Sequence, residues 1–570
     1  MIVNTFVKLR LILEKKDFNK MYLFFILSFF AMFLEILSVG LIIPFLNSLV
    51  NGGIELEIFK YFNFFENLDI SYIILILIGV YTFKTIFLTF ISFLQSKYLG
   101  DIRAGLSNQL FKLYLNRSYE FHLKNNTSKL IRNVSETNLI VLVITAMITF
   151  INELFIMLGV SLFVIIFQPK ISVIVVVTLS FLGYLFIKII KNKNKLWGKI
   201  RTETIAQLVK TQNESFRLIK EIKILDRAKY ILEKFIFDNS KIVRSELKHT
   251  FFSSLPRLWL EWLVILTFLL SVSFMILEGR GLSEIVVIIG VFTAAAFRIM
   301  PSLTRIMNSA QQILYHQTVL ENISNEILTL DKNFEKSFEL KKEHKTSKTQ
   351  DLLEVKDLGF YYNNEKTVLE SINIKFEKGQ VYGICGPSGS GKTTLINLIL
   401  GFLKPKIGKI KFNDKNIFDN LREWRDNVGF VPQDIFLCDG TIKDNILLHL
   451  PENQINKKDL DDSVRNANLD EFVKSLENGL DTNIGEFGDK ISGGQRQRIG
   501  IARSILNKPK ILILDEFTSS LDSNAENKIL NEISFLKKDK IIIIISHKLT
   551  TLNLCDKIFK LEKQTLIQTK

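Results

Sequence analysis

The stretch "GPSGSGKTT", residues 386–394, decides the fold of the C-terminal part of the chain. It follows the apolar run "QVYGIC" (380–385), typical of a buried strand, and precedes "TTLINLILGFL" (393–403), which has the composition of a helix. Glycines between a strand and a helix let backbone N–H groups point at a phosphate, and the helix dipole adds to the attraction. In this context Lys392 can reach the β- and γ-phosphates of a nucleotide, and the Thr393 hydroxyl can ligate Mg²⁺. The stretch therefore predicts a phosphate-binding loop in an α/β domain.

Two later aliphatic runs end in polar residues suited to phosphate chemistry. The segment "ILILDE" (511–516) predicts a buried parallel strand with Asp515 and Glu516 at its C-terminal edge. There Asp515 can hold Mg²⁺ through water, and Glu516 can orient or deprotonate an attacking water molecule. The segment "KIIIIISH" (540–547) predicts another strand, and His547 at its end is placed to contact the γ-phosphate or that water.

Further motifs in this region resemble those of the nucleotide-binding domain of ATP-binding cassette (ABC) transporters. They are "VPQD" (431–434), "ISGGQRQR" (491–498) and "SSLD" (519–522). With the phosphate loop they occur in the family's order over about residues 350–565. The resemblance implies that the turn at Ser492 closes over the γ-phosphate of ATP held by another subunit. It also implies that Gln433 senses Mg²⁺ and links hydrolysis to the membrane part.

The resemblance also assigns the remaining residues of the nucleotide site. Tyr362 matches the family's aromatic residue that stacks on adenine, and Tyr361 is the less favoured candidate. The predicted ATP-binding residues are Tyr362, Gly386, Pro387, Ser388, Gly389, Ser390, Gly391, Lys392, Thr393, Thr394, Ser492, Gly493, Gly494, Gln495 and Asp522. The predicted catalytic residues are Lys392, Gln433, Glu516 and His547, and the predicted Mg²⁺ ligands are Thr393, Gln433 and Asp515. Ile491, Phe517 and Lys548 replace the usual leucine, alanine and arginine, which leaves every catalytic group in place.

The N-terminal part contains apolar runs long enough to cross a bilayer. They lie at 22–48, 72–95, 138–167, 171–192, 257–278 and 284–306. The segments 96–137 and 193–255 are rich in Lys and Arg, so the positive-inside rule places them, and the N-terminus, in the cytoplasm. We therefore predict a multi-pass protein of the bacterial inner membrane with a cytoplasmic nucleotide domain. The outer loop carries "IELEIFKYFNFF", predicted as a short amphipathic helix packed on the spans or lying on the membrane surface.

These assignments predict an all-α transmembrane domain of six helices followed by an α/β P-loop ATPase domain. The predicted boundaries are 1–320 for the transmembrane domain with two cytoplasmic loops, 321–350 for a linker and 351–570 for the nucleotide-binding domain. One chain thus supplies half of what the family needs, since its ATP sites are shared between two nucleotide domains. A homodimer is the simplest assembly, and pairing with a different subunit is the alternative. Fusion of the domains in this order resembles exporters.

Composition excludes several other classes of protein. The formal net charge is +15, but the lysines concentrate in segments between apolar runs, which indicates a membrane protein and no nucleic-acid partner. Cys385, Cys438 and Cys555 lack metal-ligand spacing, so we predict neither a disulfide nor a zinc site. The basic N-terminus lacks a cleavage site for a signal peptide. A soluble cassette ATPase acting on ribosomes or DNA is excluded by the six spans, and intact hydrolytic residues disfavour a channel or sensor.

Basic residues within or beside the spans indicate the cargo. Lys84, Arg257, Arg298 and Arg305 would each be costly facing lipid, so we expect them to face a wet interior. Glu35 can pair with Lys84 and Glu261 with Arg257, whereas Arg298 has no obvious partner in the spans. In a dimer this leaves a surplus of positive charge around one cavity, which suits an anionic, phosphate-bearing head group.

The membrane half also resembles one type of exporter. The segments "SSLPRLWLEW" (253–262) and "AFRIMPSLTRIMNSAQQILYHQ" (296–317) resemble PglK-type flippases of lipid-linked oligosaccharides. This resemblance implies that the four basic residues attract the pyrophosphate that links a glycan to a polyprenyl lipid. Export of another amphiphile, such as a lipid A precursor, a drug or a peptide, is the alternative.

Overall fold

The computed structural model describes residues 2–42, 45, 70–167, 169–277, 282–331, 351–362, 366–518 and 523–570. The predicted amphipathic outer segment, most of the linker and Asp522 lie outside these residues. The chain divides into two units, one formed by Met1–Arg117 with Phe121–Glu335 and the other by Ser118–Glu120 with Lys336–Lys570.

Helices make up the described N-terminal part of the chain. They are α1 (Ile2–Ile12), α2 (Lys15–Gly40), α3 (Ile70–Leu115), α4 (Tyr119–Lys124), α5 (Thr127–Ser135), α6 (Thr137–Phe167), α7 (Pro169–Arg217), α8 (Ile219–Ile224), α9 (Ala228–Leu277), α10 (Leu282–Tyr315) and α11 (Gln317–Asp331). Within the described residues, four helical stretches are long and apolar enough to cross a membrane: Lys15–Gly40, Ile70–Leu115, Thr127–Ile166 and Ala228–Leu277. Helices α7 and α10 contain the predicted fourth and sixth spans. The six-span topology and its orientation stay predictions.

The basic segments between the predicted spans are mostly helical, and their location in the cytoplasm stays a prediction. Helix α3 continues to Leu115, α7 continues to Arg217, and α9 begins at Ala228. Their Leu, Ile, Lys, Arg and Glu residues are tolerated or favoured in helices, so charge ends the apolar stripe without ending the helix. Pro169 is the first residue of α7, where its missing N–H costs nothing.

A buried polar cluster joins α7, α9 and α10 beyond the predicted spans. Gly198 lies so close to Tyr315 that a Cβ there would overlap the Tyr315 carbonyl oxygen. The imidazole of His249 stacks on the Tyr315 ring, with 4.0 Å between centroids and planes 8° apart. Burial lowers the pKa of His249 to about 4. Burial, with the charge of Arg201 and the neighbouring His249, lowers the pKa of His316 to about 3.

This cluster predicts a loss of stability in mild acid. Folding keeps His316 neutral, whereas the unfolded chain protonates it below a pKa of 6.5, so stability falls as the pH drops from 6.5 towards 3. At pH 5 this protonation of the unfolded chain lowers the free energy of unfolding by about 2 kcal/mol relative to neutral pH. We expect the melting temperature to fall more between pH 7 and pH 5 for the natural protein than for His316→Gln. The matched variant His449→Gln, at an exposed histidine, should keep the full pH dependence. Equal slopes for His316→Gln and the natural protein would contradict this origin.

The second unit contains two sheets with helices around them. Its strands are β1 (Leu352–Tyr362), β2 (Lys366–Glu377), β3 (Val381–Cys385), β4 (Ile407–Phe412), β5 (Lys415–Asn416), β6 (Val428–Val431), β7 (Ile511–Asp515), β8 (Ile541–Ile545), β9 (Lys557–Glu562) and β10 (Thr565–Gln568). One sheet has the order β2-β1-β4-β5 and is antiparallel. The other has the order β10-β9-β3-β8-β7-β6 and is parallel except at β10. The α-helices are α12 (Lys392–Ile399), α13 (Leu421–Asp426), α14 (Ile442–Leu447), α15 (Lys457–Asn466), α16 (Asp470–Ser475), α17 (Gly493–Ile505), α18 (Ser523–Leu536) and α19 (Leu549–Asn553).

The central strands are apolar on both faces because both faces are covered. Leu512 and Leu514 of β7 belong to a core with residues of α17 and α18, whereas Ile511 and Ile513 belong to a core with α12 and the antiparallel sheet. The five isoleucines of β8 alternate in the same way. Parallel strands buried on both faces require this continuous aliphatic pattern. The sheet therefore presents the carboxyl ends of β6, β7 and β8 at one edge.

Candidate functional site

The phosphate loop joins β3 to α12 through glycines that cannot be replaced without strain. Gly386, Gly389 and Gly391 have φ values of +151°, +78° and +105°, the region that favours glycine. A Cβ at Gly386 would also overlap the carbonyl oxygen of Leu561 on β9. The loop thus lies tightly against the sheet and leads directly into the N-terminus of α12.

The polar groups of this loop fit a phosphate chain. Lys392 Nζ donates to the carbonyl oxygens of Gly386 (2.8 Å) and Pro387 (3.0 Å), and burial lowers its pKa against the opposing charges of Glu516 and Asp515. Ser390 Oγ is buried without a hydrogen-bond partner in the described part of the chain. Within the described residues, a cation that donates to loop carbonyls and a hydroxyl without a partner are groups that phosphate oxygens would engage.

Two residues provide oxygen donors suited to Mg²⁺. Asp515 ends β7, and burial, with the neighbouring Glu516 charge, raises its pKa to about 6, a rise that Lys392 opposes. Thr393 is the second residue of α12. Mg²⁺ commonly takes one or two carboxylates together with substrate phosphates, so this donor set fits it. The bound ion would neutralise phosphate charge.

Glu516 holds two of the predicted catalytic side chains. It follows β7 with φ of +42°, and its Oε2 accepts a hydrogen bond from Gln433 Nε2 at 2.8 Å. His547 Nε2 lies 3.2 Å from Oε1. Gln433 follows β6 and His547 follows β8, the two strands that flank β7. The sheet order therefore brings together three side chains that are far apart in sequence.

The turn at Ser492 is exposed and begins α17. Ser492 caps α17 through a reciprocal pair with Gln495: the Gln495 amide donates to Ser492 Oγ (3.2 Å), and the Ser492 amide donates to Gln495 Oε1 (2.8 Å). Gly493 is also exposed, and Gly494 is half-buried. A capped helix N-terminus with free solvent access is an anion-binding geometry.

The structure shows what surrounds the predicted adenine contact, Tyr362, and two residues that differ from the family pattern, Phe517 and Lys548. Tyr362 ends β1 with 44% of its surface exposed, and its hydroxyl lies 3.4 Å from Thr394 Oγ1. Phe517 is buried in the core beside α17 and α18. Lys548 Nζ donates to the Thr518 carbonyl (2.7 Å) and to Glu526 (3.2 Å). Lys548 thus links the segment after β8 to Thr518 and to α18.

The four basic residues predicted to face the transport path are each paired with an acid, and the prediction that Arg298 lacks a partner is wrong. Arg298 Nη2 lies 3.0 Å from Glu35 Oε1 and 3.9 Å from Glu153 Oε2. Arg305 Nη1 donates to Glu153 Oε1 at 2.7 Å. Sequence reasoning missed Glu153, although a single carboxylate within the apolar third run was a usable signal.

The predicted pairs of the other two basic residues are confirmed. Lys84 Nζ donates to Glu35 Oε2 at 2.8 Å and to Ser38 Oγ at 3.2 Å. Arg257 Nε donates to Glu261 Oε1 at 2.9 Å on the same helix, and its side chain is 73% exposed. The structure thus links Lys84, Arg298 and Arg305 in one network and ties Arg257 to its own helical turn.

A cavity of about 530 Å³ opens beside this network. It is lined by Glu35, Ser38, Val39, Ile42, Tyr81, Lys84, Gly290, Thr293, Ala294, Phe297 and Arg298. Its charged groups come from α2, α3 and α10, and the rest of the lining is mostly apolar. An apolar cavity with a few convergent charged groups is the usual form of a ligand site.

Comparisons with known proteins agree with both units. The family described as "ABC transporter" matches residues 369–519, and the family "ABC transporter transmembrane region" matches residues 21–300. A putative multidrug export ATP-binding/permease protein of Staphylococcus aureus is 40% identical over 222 residues, which are 39% of this chain and 38% of that protein. The chain thus spans about two fifths of the length of that relative.

Longer similarities cover most of the chain. An uncharacterized ABC transporter ATP-binding protein of Sinorhizobium fredii is 28% identical over 480 residues, 83% of this chain and 80% of that protein. The structure of a bacterial Atm1-family ABC exporter with ATP bound superposes with a TM-score of 0.76 at 18% identity, covering 97% of this chain and 94% of the other. The chain is therefore a fused ABC transporter, with its transmembrane region and its ABC-type ATPase domain in one polypeptide and the fold of an exporter.

Proposed function

We propose that this protein hydrolyses ATP to move an anionic glycolipid, specifically a polyprenyl-pyrophosphate-linked oligosaccharide, from the inner to the outer leaflet of a bacterial inner membrane. The observation that carries the proposal is that Lys84 and Arg298 both line one cavity. An arginine fork and an ammonium in a mostly apolar cavity suit a phosphate group attached to a lipid.

The charge of the network supports a pyrophosphate in particular. Lys84, Arg298 and Arg305 share the carboxylates of Glu35 and Glu153, so the network keeps one net positive charge per chain. A homodimer would carry two net positive charges. These would balance the two negative charges of a pyrophosphate diester with two ionised oxygens. Buried charges are least costly when they are matched, so this cargo fits the site.

The ATPase domain provides the groups for the driving reaction. In our proposal Lys392 and the loop amides bind the phosphates, and Glu516 holds the attacking water and takes its proton. Gln433 and His547 position the Glu516 carboxylate through its two oxygens. The exposed Ser492 turn would complete the ATP site of a second identical chain, which makes the homodimer part of the proposal.

Export of a cationic amphiphile is the second candidate. The name of the Staphylococcus relative contains "putative multidrug export", and Glu35 in the cavity wall would attract a cation. Both carboxylates of the network are already paired with protein cations, however, and the net charge of the network is positive. This balance favours the anionic cargo.

The lipids that copurify with a hydrolysis-deficient protein test the proposal. We expect mass spectrometry of the Glu516→Gln variant, purified without added lipid, to detect a polyprenyl-pyrophosphate species enriched at least tenfold over the membrane extract. The matched sample is the natural protein purified after turnover with ATP, which should release that species. Enrichment of a cationic or zwitterionic amphiphile instead would contradict an anionic cargo.

A further inference from the structure

One protein carboxylate occupies the position where the proposed anion would bind. Glu35 lies in the wall of the cavity and uses both of its oxygens, Oε2 for Lys84 at 2.8 Å and Oε1 for Arg298 at 3.0 Å. Lys84 and Arg298 are the basic residues among those that line the cavity. Glu35 thus engages each cation that a ligand phosphate would contact there.

The two cations keep donors that Glu35 does not use. Arg298 Nε is buried and has no hydrogen-bond partner within the described residues. Lys84 is otherwise bonded to Ser38 Oγ, and an ammonium has three donors while a guanidinium has five. The side chains of Lys84 and Arg298 are 15% and 20% exposed, compared with 3% for Glu35. Both cations are therefore open to an additional or a replacing acceptor.

The other carboxylate of the network has a different place. Glu153 accepts hydrogen bonds from Ser302 Oγ at 2.7 Å and from Arg305 Nη1 at 2.7 Å, and it does not line the cavity. It is as buried as Glu35, with 3% of its side chain exposed. Glu153 pairs with Arg298 and Arg305 from outside the cavity lining, whereas Glu35 pairs with Lys84 and Arg298 at the cavity wall.

We propose that Glu35 is an internal competitor that makes the cavity selective for multiply charged phosphates over singly charged lipids. A singly charged phospholipid that displaces Glu35 exchanges one anion for another of equal charge and gains little. A pyrophosphate brings a second charge and more acceptor oxygens, so the same exchange is favourable. The inference rests on the proposed function, because it concerns the same anion site.

Lipid binding by the purified full-length chain in detergent tests this selectivity. The probes are undecaprenyl pyrophosphate and phosphatidylglycerol, and the variants are Glu35→Gln and the matched Glu153→Gln. We expect Glu35→Gln to bind phosphatidylglycerol about tenfold more tightly than the natural protein, because the carboxylate that competes for Lys84 and Arg298 is gone. Glu153→Gln removes the same charge from outside the cavity wall, so we expect less than a threefold gain for phosphatidylglycerol. Structural damage would weaken binding of both lipids, which is the opposite sign.

The outcomes separate this inference from the proposed function. If the natural protein does not bind the pyrophosphate lipid, the proposed function fails. If it binds that lipid but Glu35→Gln gains no affinity for phosphatidylglycerol, the competitor role is overturned and the proposed function stands. If Glu35→Gln does not fold, Glu35→Asp replaces it: the shorter carboxylate should bridge both cations poorly and give an intermediate gain. Unchanged or weaker binding of phosphatidylglycerol by Glu35→Asp would overturn the competitor role.

Discussion

Replacing Glu516 with glutamine is expected to reduce the rate of ATP hydrolysis by about 10²–10⁴-fold while ATP binding is retained. Glutamine keeps the size of the side chain and can still accept a hydrogen bond from Gln433. It cannot take a proton from water, so only the step that needs a base is lost. Phosphate release by the purified protein and binding of a fluorescent ATP analogue measure the two effects separately.

A second carboxylate of the same domain provides the control for this variant. Glu562 is the last residue of β9, and its carboxylate pairs with Lys560 of the same strand at 2.7 Å. Glu562→Gln should hydrolyse ATP at the natural rate. Hydrolysis by Glu516→Gln within about threefold of the natural rate would exclude Glu516 as the base and would direct attention to His547, its neighbour at 3.2 Å.

The arrangement around Glu516 was accessible from sequence because it depends on local signals. Buried aliphatic runs predict parallel strands, and the carboxyl ends of parallel strands meet at one edge of a sheet. The structure accordingly brings Gln433 and His547 to the two oxygens of Glu516. The roles of these side chains in hydrolysis stay proposals.

The partners of the membrane cations were only partly accessible. The pair of Arg257 with Glu261 follows from spacing on one helix, and that of Lys84 with Glu35 from matching depth on adjacent spans. The contacts of Glu153 with Arg298 and Arg305 depend on how α6 and α10 are rotated against each other. Helical periodicity gives the apolar face of one helix and not its register against another, so these contacts required the structure.

The extent of the helices was hidden for a related reason. Hydropathy marks where a helix leaves the apolar phase and does not show whether the helix continues beyond that point. Strong helix formers keep the backbone hydrogen bonds going in water as well as in lipid. Helix α3 therefore runs from Ile70 to Leu115, well beyond the predicted span at 72–95.

Replacing both Arg298 and Arg305 with alanine is expected to reduce flipping of a pyrophosphate-linked lipid at least tenfold. The change removes two of the three cations in the network and leaves Lys84, which Glu35 neutralises. The assay follows a polyprenyl-pyrophosphate-linked glycan in proteoliposomes, with the share that reaches the outer leaflet measured by an external glycan-cleaving enzyme. Lys20→Ala, at a partly exposed lysine paired with Asp17 on α2, is the control and should flip at the natural rate.

The double variant also leaves Glu153 without its paired arginines, so a further variant is needed to interpret it. A buried carboxylate without its cation typically costs about 3–5 kcal/mol of stability, which could abolish flipping through misfolding. Adding Glu153→Gln removes that charge, and the glutamine can still accept the hydrogen bond from Ser302 Oγ. If the triple variant folds and still fails to flip, the arginines act on the substrate. If it flips at the natural rate, the arginines serve only to neutralise Glu153, and a pyrophosphate cargo loses its main support.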